Sequence, residues 1–178
     1  MRRKHKIPSL WLLRVRVKAI HLVFDTAARL PGGRYFRFAR LPDWSKRAAN
    51  RGKYKKAAQF ARELLALAND YAEDWNYGNA IHHGHLVLGR VALAAGNIEV
   101  ARTELILGAR TPGSPQLNSF GPSMKLAKDL LAAGEAGAVR EYLELCREFW
   151  KRGVHHLDEW SDDVAAGRIP EFGANLVY

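Results

Sequence analysis

Leu88-Gly89-Arg90-Val91-Ala92-Leu93-Ala94-Ala95-Gly96-Asn97-Ile98-Glu99-Val100-Ala101-Arg102-Thr103-Glu104-Leu105 is the stretch on which the reading of the fold turns. A run of helix-forming residues leads up to Gly96, which punctuates it, and a second such run follows. Around that turn the spacing is ordered. The small residue Gly89 stands seven before the glycine, and Ile98 and Ala101 follow two and five after it.

The same spacing recurs at Leu126-Ala127-Lys128-Asp129-Leu130-Leu131-Ala132-Ala133-Gly134-Glu135-Ala136-Gly137-Ala138-Val139, running on to Leu143 and Cys146. A looser copy runs from Trp44-Ser45-Lys46-Arg47-Ala48 through Gly52 to Tyr54 and Ala57. This pattern resembles the tetratricopeptide repeat (TPR), a helix pair that keeps small residues where its two helices cross. The likeness covers about 120 residues, from Leu41 to Trp150. It departs from the family in two respects. The turn glycines lie 44 and then 38 residues apart, where the family period is about 34. His85 and Ser123 also stand where an early aromatic is usual. The resemblance implies an all-α fold, an antiparallel helix-hairpin (TPR-like) right-handed superhelical array with N- and C-terminal capping helices, the three hairpins occupying 41–153.

Outward from the repeats, Leu10, Leu13, Val17, Ile20, Phe24 and Ala27 form one helical stripe, which predicts an amphipathic helix over 9–30. The short alternation Arg14-Val15-Arg16-Val17-Lys18 competes as a strand but is too brief to outweigh the stripe. Pro31-Gly32-Gly33 ends that helix, and Arg34–Pro42, with its interleaved aromatic and basic residues, reads as an extended connector. Residues 1–40 are thus expected as a basic helix and linker. Between the second and third repeats, Thr111–Pro122 reads as a long loop. At the other end Val154, Leu157, Trp160 and Val164 recur opposite Asp158, Glu159, Asp162 and Asp163, so 154–178 is expected to be a capping helix with an apolar tail that folds back. The segment Ile169-Pro170-Glu171-Phe172-Gly173-Ala174-Asn175 is similar to the close of some bacterial sequences, a likeness that implies no function.

With 178 residues and 48% hydrophobic content, the chain suits one domain with a continuous core. Its single cysteine, Cys146, excludes an internal disulfide or a cysteine zinc site and favours a reducing, cytoplasmic setting. The net charge of +10 is unevenly placed. Residues 1–62 carry 18 lysines and arginines against Asp25 and Asp43, whereas the remainder carries 10 basic and 16 acidic side chains. No apolar run is long enough to span a bilayer. Arg14, Arg16 and Lys18 interrupt the apolar stretch that begins at Ile7, which argues against a secretory signal, though the absence of acids before Asp25 gives the segment a mitochondrial-presequence character.

Catalytic and metal-binding patterns are weak. Of His82, His83 and His85, only His82 and His85 can share a helix face, and neither they nor His155 and His156 form a His-Glu-x-x-His site. Cys146 occupies a small-residue packing position, and Glu73-Asp74, Asp158-Glu159 and Asp162-Asp163 diverge around their helices. No phosphate loop, serine elbow or dinucleotide fingerprint is present. The expectation is a protein without catalytic residues, metal or cofactor.

Two binding surfaces remain. In TPR-like domains the residue after the small crossing residue points into the groove, which here implies Lys46, Arg90 and Lys128, joined by Asn50 and by Leu93 and Leu131. Such a groove suits an acidic or carboxylate-terminated peptide and an adaptor role. The alternative surface is the basic head. Arg2, Arg3, Lys4, Lys6, Arg14, Arg16 and Lys18 flank apolar and aromatic residues in a pattern suited to an anionic membrane surface or to RNA.

Overall fold

The computed structural model describes residues 33–177, and every regular element among them is helical. The expected helix over 9–30 and all seven cations of the basic head lie outside the described residues. The chain divides into two units at Arg37 and Phe38, and the second carries nearly all the described elements.

The segment expected as an extended connector is helical instead. Helix α1 spans Gly33–Asn50 with Pro42 inside it, so the boundary expected after residue 40 falls within a helix. A stripe masked by the aromatic and basic interleaving explains this: Phe38, Leu41, Ser45, Ala48 and Ala49 are buried at helical spacing. A proline inside a helix costs about 3 kcal/mol. Burial of Phe38 and Leu41, worth about 1.5–3 kcal/mol each, offsets it, and the Pro42 carbonyl accepts a hydrogen bond from Ser45 Oγ at 2.9 Å.

Seven further helices follow among the described residues: α2 (Tyr54–Ala68), α3 (Tyr77–Ala94), α4 (Ile98–Ala109), α5 (Pro115–Phe120), α6 (Lys125–Ala132), α7 (Ala136–Cys146) and α8 (Val154–Ala165). One turn joins α1 to α2, α3 to α4 and α6 to α7. Gly52, Gly96 and Gly134 take φ of 67°, 78° and 88°. In each turn the glycine N–H bonds the carbonyl three residues back, and the next N–H bonds the carbonyl five back. For Gly96 and Asn97 these bonds reach Leu93 and Ala92, both at 2.9 Å. Two orphan carbonyls of the first helix are thereby satisfied, and the positive φ is open to glycine without strain. Asn97 then starts α4, its Oδ1 accepting from Val100 N–H at 3.1 Å.

The helices pack in sequence order, α2 on α3, α3 on α4, α4 on α6 and α7, and α7 on α8. The crossing residues Ser45, Gly89 and Ala127 are all buried. A Cβ at Gly89 would overlap the Leu126 side chain and come within 3.1 Å of Glu104 Cβ, so the absence of a side chain is what admits both neighbours. The expected loop at 111–122 contains α5, begun by Ser114, whose Oγ accepts from Leu117 N–H at 3.0 Å. It is stitched to α3 through Thr111 Oγ1 donating to the Gly78 carbonyl (2.8 Å) and Ser114 Oγ donating to Asn79 Oδ1 (2.7 Å). The C-terminal segment does fold back. Asn175 Nδ2 donates to the carbonyls of Phe120 (3.0 Å) and Pro122 (2.8 Å), while Met124 N–H donates to the Asn175 carbonyl (2.8 Å). No helix among the described residues is long and apolar enough to cross a membrane.

Candidate functional site

Stripes on the first helices of the three pairs meet at one cavity of about 330 Å³. From α1 come Asp43, Lys46, Arg47 and Asn50, and from α3 come His83, Leu86, Val87 and Arg90, each set spaced to share one helix face. Lys125 and Leu126 at the start of α6 close the third side. Gln116 and Ser123 complete the wall, and Leu176 and Val177 of the folded-back segment form part of the rim.

Charge in this cavity is unbalanced. Lys46, Arg47, Arg90 and Lys125 face a single lining carboxylate, Asp43, which lies 3.7 Å from Lys46 Nζ. Burial pulls the Lys46 ammonium below its ordinary pKa, with Asp43 opposing the shift. Arg90 Nη1 donates to Asn50 Oδ1 at 2.9 Å, a neutral partner, while burial acts against its charge and the more distant Asp129 acts for it. Asp129 itself is raised by burial, against the pull of Arg90, Lys125 and Lys128. Neither Arg47 nor Lys125 has a carboxylate within ion-pair distance among the described residues. A second concavity, on α4 and α7, shows the opposite design: Arg102 pairs with Glu99 (3.0 Å) and Glu135 (3.3 Å), and Arg110 with Glu141 (4.0 Å). Both of its arginines are paired within that surface.

The adjacent histidines His82 and His83 have different roles. His82 is wholly buried, and its Nε2 accepts from Ser123 N–H at 3.1 Å, which leaves Nδ1 to donate to the Gly108 carbonyl at 2.9 Å. Both nitrogens are used, and burial lowers its pKa to about 4. His83 is only 3% exposed, lines the cavity, and has no hydrogen-bond partner among the described residues. Burial first, and Lys46 next, hold it neutral well below the ordinary histidine range. His85 instead pairs with Glu104 Oε2 at 2.8 Å. No group of three or more His, Cys, Asp or Glu side chains suited to a metal ion occurs among the described residues. Cys146 is buried, and its thiol is pushed well above the usual range by that burial, despite a hydrogen bond with Tyr142.

Of the six residues expected in the groove, the structure brings Lys46, Asn50 and Arg90 together. Lys128 is exposed away from the cavity, because Lys125, one turn earlier on α6, takes the inward place. Leu93 and Leu131 are half-buried against the large core and do not line the cavity. His83 and Ser123 line the cavity without being among the expected groove residues. Their i, i+3 and i, i+4 relations to Leu86, Val87 and Leu126 are the signal that could have found them. No protein-family model, curated protein or solved structure matches the chain.

Proposed function

We propose that residues 38–177 form a TPR-like array of stacked helix hairpins that works as a non-catalytic, cytoplasmic adaptor, its cavity on α1, α3 and α6 holding an acidic segment of a partner protein. The observation that carries this reading is the excess of cations: four basic side chains from three first helices against one carboxylate. Partly buried like charges repel one another, and an anionic ligand relieves that repulsion in the bound state alone. Both His82 nitrogens are occupied and the Cys146 thiol is buried, so neither side chain is placed to act as base or nucleophile. A single buried thiol fits a reducing compartment.

The test is a library of eight-residue peptides, each made with a free and an amidated C-terminus, bound to the full chain and to the double variant Lys46→Glu/Arg90→Glu. Acidic peptides should bind the native protein and lose about tenfold or more, about 1.4 kcal/mol, in the variant with its circular dichroism unchanged. Identical binding profiles for the two proteins would remove the cavity as the partner site.

A further inference from the structure

We infer that the cavity is a site for a dianionic phosphate monoester, with the His83 ring and the Ser123 hydroxyl hydrogen-bonding to it. The inference rests on the reading above that this cavity is the binding site, and it narrows the ligand chemistry. Charge is the first argument. Lys46, Arg47, Arg90 and Lys125 set against Asp43 leave the lining at +3. Asp129 lies beside Arg90, where exposed Lys128 offsets it. One carboxylate leaves most of that charge unmatched. A phosphate monoester carries about −1.5 to −2 at neutral pH and offers three strong acceptor oxygens.

The second argument is hydrogen bonding. His83 and Ser123 are 3% and 8% exposed, and both line the cavity. Ser123 uses its backbone N–H on His82 and its carbonyl on Tyr142, yet its hydroxyl makes no hydrogen bond among the described residues, and neither does the His83 ring. Asn118 Oδ1 is the sealed side-chain polar atom without a partner among the described residues, so the His83 ring nitrogens and the Ser123 hydroxyl are open to the cavity, where they offer hydrogen bonds to an acceptor-rich guest beside the four cations. His83 is suited to this as a neutral group. Lys46 on α1 and His82 on its own helix face it and oppose its protonation, so it supplies an N–H without adding to the repulsion.

The experiment titrates the full chain at pH 7.5 and constant ionic strength with a phosphoserine peptide, the same peptide with glutamate in place of phosphoserine, phosphoethanolamine, and acetate. Affinities are read by calorimetry, and the His83 ring is followed by nitrogen-15 NMR. The phosphoserine peptide should bind about tenfold more tightly than its glutamate counterpart and shift the His83 ring nitrogens. Lys125→Gln, at a partly exposed position, and His83→Gln should each weaken phosphate binding about fivefold or more. If only phosphoethanolamine binds and the phosphopeptide does not, the ester site stands and its source is a free metabolite, which overturns the partner-protein reading. Equal affinity for the two peptides, or phosphate binding untouched by both variants, overturns the phosphate site and leaves the acidic-segment reading intact. Absence of binding by every probe overturns both.

Discussion

Helix α3 and the terminal helix α8 end in the same turn and differ at the position seven residues before it. Gly96 and Gly167 both take a positive φ, 78° and 74°, and both turns carry the paired backbone bonds, with Gly167 N–H reaching Val164 at 3.1 Å and Arg168 N–H reaching Asp163 at 2.9 Å. Upstream, Gly89 leaves room for α4 and α6 at once, whereas α8 places Trp160 there. Trp160 fills the space itself. Its ring lies 5.7 Å from Trp150 and edge-on to Phe172 at 5.0 Å, and its Nε1 donates to the Glu171 carbonyl at 3.3 Å. The comparison teaches that the stack continues where the crossing residue is small and stops where a large ring calls the chain back over itself.

The strongest way to break that comparison is to make the end resemble the middle. Trp160→Ala should cost about 3–5 kcal/mol in urea unfolding, as for other buried large-to-small aromatic changes. It should also expose the folded-back segment. Hydrogen exchange at Met124 N–H, held by the Asn175 carbonyl, should accelerate in step with the 171–177 amides. If stability falls but those amides keep their protection, Trp160 is an ordinary core residue and not the closing element.

The middle of the molecule has a polar seam of its own. His82 joins α3 to the Gly108 carbonyl and to Ser123, and stacks 6.5 Å from Tyr142. Its folded pKa of about 4 lies below the unfolded value near 6.5, and burial first and Lys46 next also hold His83 well below that value. The unfolded chain therefore takes up protons first as pH falls. The stability these neutral rings contribute is complete above about pH 6.5 and is lost progressively below it, by about 1.4 kcal/mol per pH unit for each ring. Stability from urea unfolding should fall between pH 7.5 and 5 by about 2 kcal/mol from His82 alone, with His83 adding in the same direction, and the slope should be shallower in His82→Gln whatever offset that change adds. A flat profile would contradict the buried neutral assignment.

Much of this was legible in the sequence where glycine and alanine spacing controls it. The three turns at Gly52, Gly96 and Gly134 and the burial of Ser45, Gly89 and Ala127 follow from positions that only a small residue satisfies. Asp163-Val164-Ala165-Ala166-Gly167 repeats the same turn, and Trp160 at the crossing concealed the match. The helical nature of Arg34–Pro42 was obscured because proline and alternating aromatics outweighed a stripe of Phe38, Leu41 and Ser45. In the cavity, a helix-face rule found Lys46 and Arg90 but carried Lys128 one turn too far, since α6 begins only at Lys125 and its place against α3 is a tertiary matter. His83 is a stronger case still. Its spacing to Leu86, Val87 and Arg90 places it on their helix face, but only the fold gives the His82 ring two hydrogen-bond partners and the His83 ring none among the described residues.

The smallest effect is also the sharpest test of whether the two ends share one turn. A Cβ added at Gly96 or at Gly167 meets nothing within 4 Å, so alanine at either position is penalised by the left-handed backbone alone, about 1–2 kcal/mol. Gly96→Ala and Gly167→Ala should therefore shift the unfolding midpoint equally, although one lies inside the second hairpin, between α3 and α4, and the other at the end of the stack. Equal costs would locate the difference between the regions at Gly89 and Trp160, upstream of the turn. A negligible cost at Gly167 would mean that α8 can end in another conformation without loss, and that its likeness to the hairpin turns has no energetic role.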